Sequence, residues 1–524
     1  MTPPGAGYGD LLGTVMAACR SEPEKPALIF EDGVVVTRGQ LWREAESFAG
    51  YLQPRREPGD RVAIMMPNRA EFMIAWLAVI ACRAVLVPLN PALHRYDASH
   101  ILRDSAARLA IIDAEFETRF RDLHPDCPEL EQVIVAADDA EPGGLAAYSG
   151  QWPALRPPGA AGDITNVYYT SGTTGPPKGC QVDHEYWLRF ARLMIDLYGI
   201  TGSDRMLCCL QFFYTDPPRQ LLMSLIAGTS LVVMRRFSVS RYWGVVRENQ
   251  VTVLFGIAAT ASLLLKAPPG RLDREHRVRV AIHVGIPAQI HAELVKRWGV
   301  PWVELYGLTE TGAITAMPVT CADEMTGSGS IGLPCPGADV RVVTPDGDDA
   351  GDGQAGEIVV RAPGLMRGYL HRPGATAETF RGGWLHTGDL GRRDGRGFLY
   401  FQGRIKDIIR RQGENIAATE VENVLRSHPK VLEAAAVPVP HGLRGEEVKV
   451  HVLLTDGEEA ASCPPGELIA FCAERLARYK VPRFVEYRVT DYDRTPSMRV
   501  KKEQLDRSAG DREQVWDREE QLGW

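Results

Sequence analysis

Residues 168–179 read Y-Y-T-S-G-T-T-G-P-P-K-G, packing three glycines, four hydroxyl side chains, two prolines and one lysine into twelve positions. A hydrophobic core has no use for such a run, but a phosphate chain does. Glycines such as Gly172 and Gly175 let backbone N–H groups come close, and successive N–H groups form an anion-binding nest. Thr170, Ser171, Thr173 and Thr174 add hydroxyl donors, and Lys178 adds a compact positive charge. The preceding residues 166–169 read as a short strand, so the element is a strand followed by a phosphate-gripping loop. The spacing is not that of G-x-x-x-x-G-K-[ST]: Gly179 stands where a Ser or Thr would hold magnesium. A plain surface turn needs neither this many donors nor the lysine.

Three further segments carry chemistry. In E-L-Y-G-L-T-E-T-G, residues 304–312, Tyr306 offers a ring to stack on a flat base and Thr309 a donor to phosphate. Glu310 offers a carboxylate for a magnesium ion bridging phosphate oxygens. In W-L-H-T-G-D, ending at Asp389, the carboxylate can accept from two sugar hydroxyls, and Arg404 in F-Q-G-R can reach the same sugar or a phosphate. The basic stretch R-T-P-S-M-R-V-K-K, residues 494–502, offers Arg499, Lys501 and Lys502 to developing negative charge. Q-F-F-Y-T-D-P-P brings aromatic Phe213 and Tyr214 together with the carboxylate of Asp216, and Phe255, Ala258 and His283 lie on later apolar runs. An aromatic cluster suits a flat aryl or unsaturated acid, and Asp216 suits an amine on it. Gly327 to Gly332 spell G-x-G-x-x-G, but no strand precedes them and Leu-Pro-Cys-Pro follows, which excludes a dinucleotide site.

The run T-S-G-T-T-G-P-P-K-G resembles the signature of the adenylate-forming superfamily, which comprises acyl- and aryl-CoA synthetases, adenylation domains and luciferases. Y-G-L-T-E and the pair T-G-D with G-R-I-K-D match that superfamily in order, over nearly the whole chain. The likeness is greatest to crotonobetaine/carnitine-type and aryl-CoA ligases. It implies ATP gripped by Thr170 to Gly175 and Lys178, with Gly285, Ile286 and Pro287, and Glu304, Leu305, Tyr306 and Gly307, around the adenine. It further implies Mg²⁺ on Glu310, the ribose held by Asp389 and Arg404 with Phe401 beside them, and Lys406 as a hinge. Gln412-Gly413-Glu414-Asn415 resembles the loop lining the pantetheine tunnel of CoA ligases.

This chain departs from the family at three places. Val284 stands where a second glycine is usual. Q-F-F-Y-T-D-P-P occupies the region of the family's P-x-F-H segment near the acyl site but lacks its histidine; that resemblance makes Phe213, Tyr214 and Asp216 candidate substrate-pocket residues, with Phe255 and Ala258 as a wall and His283 nearby. Met498 and Arg499 replace the Gly-Lys of T-P-x-G-K, which leaves Arg499, Lys501 or Lys502 to reach the charge that builds up during adenylation. The implied reaction converts a carboxylic acid to acyl-AMP and pyrophosphate, then to an acyl-CoA thioester, with CoA as co-substrate. Two alternatives remain on the same fold: activation of nitrite by ATP to diazotise an aromatic amine, and nucleotide binding without catalysis. Intact Lys178, Glu310, Asp389 and Arg404 argue against the latter.

The elements that must position these residues are legible as alternating short apolar runs and helical patterns. Strands are expected at 62–66, 84–89, 109–112, 132–136, 206–210, 230–234, 251–255 and 278–283, and a helix at 71–82. Such alternation means βαβ units and parallel sheets, with chemistry at the carboxyl ends of the strands. The fold class is α/β. A large N-terminal domain, residues 1–404, holds two such sheets plus a small turn-rich β-barrel subdomain near 332–401. The family resemblance further implies a hinge at 405–406 leading to a small mobile α+β domain, 407–524. There, T-E-V-E at 419–422 reads as a capping box, 447–454 as a half-buried strand, and 510–524 as a peripheral helix or tail. Length of 524 residues, net charge of −8 and 45% hydrophobic content fit a globular protein with several domains. An acidic chain lacks the basic footprint of nucleic-acid binding. No apolar run reaches membrane-span length, and the start of the chain shows no signal-peptide pattern. Ten scattered cysteines without C-x-x-C pairing fit a reducing cytoplasm. The partner is a small-molecule acid or aromatic amine, and the chain works as a monomer or homodimer.

Overall fold

The computed structural model describes residues 10–136, 144–150, 160, 162–170, 177–412, 414–455, 457–494, 500–510 and 515–522. Among them, strands assemble into three sheets. In the first, Gln132–Ala136, Leu109–Asp113, Arg61–Met65, Val85–Pro88 and Ile164–Thr170 run parallel. The antiparallel strand Lys178–Asp183 and the two-residue strand Gly368–Tyr369 complete that edge. In the second sheet, six strands are parallel, from Pro26–Phe30 through Ser230–Val233, Arg205–Cys208, Val253–Ile257 and Val280–Val284 to Trp302–Leu308. Their apolar runs are buried on both faces, as parallel strands covered by helices require. Beyond Trp302–Leu308 the same sheet continues antiparallel through Gly312–Ala316 and Ser330–Pro334 into the turn-rich region, ending at Asp339–Val343.

The helix expected at 71–82 forms at Ala70–Ala81 and buries every residue. A helix apolar on all sides has to be enclosed. Its one charge, Glu71, is neutralised by Arg69 at 2.8 Å, and Arg69 also reaches Asp113 at 2.6 Å. No helix among the described residues is long and apolar enough to cross a membrane. The ten cysteines are free thiols, nine of them buried.

The third sheet, after residue 407, corrects three expectations. The helix there spans Ala418–Arg426 with Ala417 at its N-cap, so Thr419 lies inside the first turn and caps nothing. Glu422 is buried and accepts from the Ala436 N–H at 2.8 Å, instead of reaching back to a cap. Strand Gly445–Leu454 is covered on both faces, not one. Val448, Val450 and Val452 join the apolar core, while Glu447, Lys449 and His451 alternate onto the opposite face and are equally buried. That face is sealed by paired charge: Lys449 with Glu486 (2.8 Å) and Asp506 (2.7 Å), and Glu447 with Arg411 (2.8 Å) and Arg444 (2.7 Å). Alternation was read correctly, but ion pairing let the polar face be buried. The tail is part of the same arrangement: Val515–Asp517 adds a strand beside Phe484–Arg488, followed by the helical turn Arg518–Leu522.

Candidate active site

Strands Ile164–Thr170 and Lys178–Asp183 form a hairpin with Thr170 opposite Lys178. Ser171, Gly172, Thr173, Thr174 and Gly175 lie outside the described residues, as does Arg499. At the base of the hairpin, the Lys178 ammonium lies 5.3 Å from the centre of the Tyr369 ring. Tyr369 donates its hydroxyl to Glu310 Oε1 at 2.9 Å, and Thr170 donates to the same oxygen at 3.4 Å. Glu310 sits on the turn between Trp302–Leu308 and Gly312–Ala316, so two separate sheets deliver one cluster of lysine, carboxylate and hydroxyls. The neighbouring Thr309 carbonyl is fixed by the Tyr186 hydroxyl at 3.0 Å. Gly307 is required where it stands, because a Cβ there would lie 1.8 Å from the Gly312 carbonyl oxygen.

Asp389 and Arg404 face each other across antiparallel strands Leu385–Arg393 and Leu399–Arg404. Arg404 Nε lies 2.7 Å from Asp389 Oδ1, and the Tyr306 hydroxyl donates to Asp389 Oδ2 at 2.6 Å. Asp389 is 1% exposed, whereas the Arg404 side chain keeps 23% of its surface in water. Phe401 precedes Arg404 on the same strand, its ring centre 6.2 Å from that of Tyr306. Carboxylate, guanidinium and two aromatic rings therefore meet at one point.

Glu304 ties down a backbone turn. Both its oxygens accept backbone N–H groups, Gly285 on one and Ile286 (2.7 Å) on the other. The carboxyl thereby clamps the turn that follows strand Val280–Val284, where Gly285 adopts φ +81° and Pro287 leads into helix Ala288–Trp298. Burial pushes Glu304 from 4.5 up to about 8, with the two N–H groups pulling the other way. The folded protein thus holds a proton that the unfolded chain releases, so its contribution to stability is lost as pH rises from 4.5 through about 8. Melting curves across that range are expected to fall more steeply for the native chain than for Glu304→Gln; parallel curves would assign the carboxyl an ordinary pKa.

A small cavity is lined by Phe190, Leu210, Asp216, Gln220, Phe255, Gly256, Ile282, Val284 and Leu305. Asp216 and Phe255 were expected there, and Leu305 joins them from the strand that also carries Tyr306. Phe213 is packed in the core, its ring centre 4.3 Å from that of Tyr214. Ala258 sits beside the Gly285 turn, 3.5 Å from where a Cβ on Gly285 would be. His283 is turned to the opposite face of the sheet. Ile282 and Val284 line the pocket, and strand side chains alternate, so His283 stacks against Trp302 at 4.5 Å instead. Burial holds it neutral, with a pKa of about 3. The period-two rule applied to 280–284 would have found this; Gln220, Phe190 and Tyr369 carry no comparable local signal.

Of the basic residues around 499, Lys502 is 2.5 Å from Glu422 and 3.9 Å from Asp407, both in the C-terminal region. Lys501 reaches across to Asp97, 3.5 Å away on helix Arg95–Ser105. Lys406 is exposed on the single turn Ile405–Asp407. Outside this site, His428, Cys463 and Glu467 converge. The Lys430 ammonium is 3.3 Å from Glu467, and the Lys430 N–H donates to His428 Nδ1, so that cluster already holds its own cation.

A lysine and hydroxyls around one carboxylate, and a carboxylate–arginine pair beside aromatic rings, are groups whose chemistry suits a nucleotide. The AMP-binding enzyme family model matches residues 15–370, and that of the AMP-binding enzyme C-terminal domain matches residues 420–499. Crotonobetaine/carnitine–CoA ligase of Citrobacter koseri is 32% identical over 505 residues, 92% of this chain and 96% of that one. Sulfoacetate–CoA ligase of Cupriavidus necator is 32% identical over 503 residues, covering 95% and 97%. Among solved structures, o-succinylbenzoate CoA synthetase from Bacillus subtilis with its acyl-adenylate intermediate superposes with a TM-score of 0.81 at 29% identity, covering 94% and 97%. The same synthetase with ATP and magnesium gives a TM-score of 0.82. The chain belongs to the AMP-binding enzyme family of adenylate-forming ligases.

Proposed function

We propose that this protein is an ATP-dependent acid–CoA ligase acting on an aryl or unsaturated carboxylic acid. The observation that carries this is the convergence of Lys178, Thr170, Tyr369 and Glu310 on one side of the site and Tyr306, Asp389 and Arg404 on the other. In the first half-reaction a substrate carboxylate oxygen attacks the α-phosphorus of ATP, and pyrophosphate leaves with the electron pair of the broken P–O bond. Asp389 accepts from the ribose hydroxyls, Arg404 orients that carboxylate, and Lys178 with the Thr/Gly loop offsets charge on the phosphates. Glu310, with Thr170 and Thr309 beside it, presents the hard oxygen donors that suit Mg²⁺. When bound, that ion neutralises charge on the leaving pyrophosphate. Arg499 or Lys501 adds positive charge from the C-terminal region; Lys502 is the weaker candidate because Glu422 holds it. In the second half-reaction the CoA thiolate attacks the acyl carbon and AMP leaves.

The chain is divided as 1–404 for nucleotide and acid, 405–406 for the hinge and 407–524 for the mobile lid. Free cysteine thiols fit work in a reducing cytoplasm. Because Lys406 lies on one exposed turn, stiffening it should separate the two half-reactions. Lys406→Pro is expected to keep acid-dependent pyrophosphate release while CoA thioester formation drops about tenfold or more, as expected where a rigid φ blocks a hinge. Equal loss of both steps would remove Lys406 from the hinge. The reading as a whole is tested by incubating the protein with ATP, Mg²⁺, CoA and a panel of aryl and alkyl acids. Acyl-CoA in the mass spectrum is the expected product, and absence of any thioester rejects the CoA step.

A further inference from the structure

The small cavity, taken as the acid pocket, contains a buried amide. Gln220 is 1% exposed, and among the described residues neither its Oε1 nor its Nε2 meets a donor or acceptor. Buried polar side chains are normally satisfied, and a leucine at this helix position would pack the same space without the penalty. Gln220 lines the pocket together with Asp216, four residues earlier on helix Asp216–Ala227, and residues at that spacing share one helix face. The remaining walls, Phe190, Leu210, Phe255, Ile282, Val284 and Leu305, are apolar. A flat hydrocarbon would fit those walls but leave the amide unsatisfied.

Charge narrows the ligand further. Asp216 Oδ1 is 3.1 Å from Arg219 Nη1. Arg219 is itself buried, its guanidinium 4.7 Å from the Tyr186 ring centre and 4.3 Å from that of Phe190. The carboxylate is therefore already balanced and does not call for a cation. A permanently charged quaternary ammonium would also bring no N–H for Gln220 or Asp216 to accept. A neutral amino or hydroxyl group both donates and accepts, which answers both atoms of the amide at once.

We propose that Gln220, with Asp216, reads a neutral amino or hydroxyl substituent on a flat aromatic or vinylogous acid, making Gln220 a specificity-determining residue. This rests on the reading of the site as an acid-activating one. It also sets the pocket apart from one built for a trimethylammonium acid.

The test measures pyrophosphate release from ATP and Mg²⁺ with cinnamic acid, its ring-amino and ring-hydroxy derivatives, and a quaternary-ammonium acid. The native protein is expected to favour at least one substituted acid over cinnamic acid by about ten- to a hundredfold in kcat/KM, the range for leaving a buried polar group unpaired. In Gln220→Leu that ratio should fall towards one, and in Gln220→Glu, which keeps an acceptor, the ring-amino and ring-hydroxy acids, each donating an N–H or O–H to it, should recover part of their preference over cinnamic acid. Pyrophosphate release with no preference for the substituents, or with preference for the quaternary-ammonium acid, overturns this proposal alone. A Gln220→Leu variant that lowers every acid by the same factor overturns it too. No release with any acid, in a protein that binds ATP, overturns the adenylation reading and this one with it.

Discussion

Asp389→Ala is expected to reduce kcat/KM for ATP by about a hundredfold or more, roughly 3 kcal/mol, in line with truncating the buried partner of a close ion pair. Three losses coincide there. The ribose hydroxyls lose their acceptor. The Tyr306 hydroxyl, 2.6 Å from Asp389, is left buried without its acceptor. Arg404 loses the carboxylate that fixes its Nε at 2.7 Å, and so its aim. The same three effects predict that Arg404→Ala is milder, since it removes the more exposed partner and leaves the Tyr306–Asp389 bond in place. Steady-state kinetics with varied ATP, alongside calorimetric binding of AMP, would check this. Unchanged affinity for AMP would show that the pair is a structural tie between strands and not a sugar contact.

Glu310→Gln is expected to act on kcat instead of on nucleotide affinity, with a loss of about a hundredfold, roughly 3 kcal/mol, as suits removal of a metal ligand that stabilises charge in the transition state. Glutamine can still accept from the Tyr369 hydroxyl, which is 2.9 Å from the carboxylate, so the fold should be kept and the melting temperature should move little. The substitution should also raise the Mg²⁺ concentration needed for half-maximal rate. A variant with native metal dependence would place Glu310 outside the metal site.

The chemistry-bearing segments were readable because each needs a rare local combination. The Thr/Gly/Lys run, Y-G-L-T-E and the Asp389–Arg404 pair all stand out from their neighbours, and the parallel strands stand out as buried apolar runs. Less was legible where a residue's meaning depends on distant partners. Tyr369 lies on a two-residue strand, too short for any period, yet it links Lys178 to Glu310. Glu304 stands in a segment read for nucleotide binding, and only the structure shows that its carboxyl accepts the N–H groups of Gly285 and Ile286 on the turn after strand Val280–Val284. His283 and Phe213 were placed in the pocket by proximity in sequence, whereas strand alternation and core packing carry them elsewhere. Gln220 was invisible because, read alone, it is a polar residue within a helical run. Lys449 and Glu447 show the same limit in the C-terminal sheet, where charge pairing buries a face that alternation assigns to solvent.

The claim at the centre of this account is that a carboxylate oxygen attacks the α-phosphorus of ATP. It is tested most directly by supplying the protein with ATP, Mg²⁺, CoA and an accepted acid whose carboxylate carries heavy oxygen, then weighing the nucleotide product. Attack by the carboxylate leaves one labelled oxygen on AMP when the thiol displaces it, so AMP with a single heavy oxygen is the predicted result. Unlabelled AMP, ADP as the product, or a diazo compound formed when nitrite and an aromatic amine replace the acid and CoA would each contradict it.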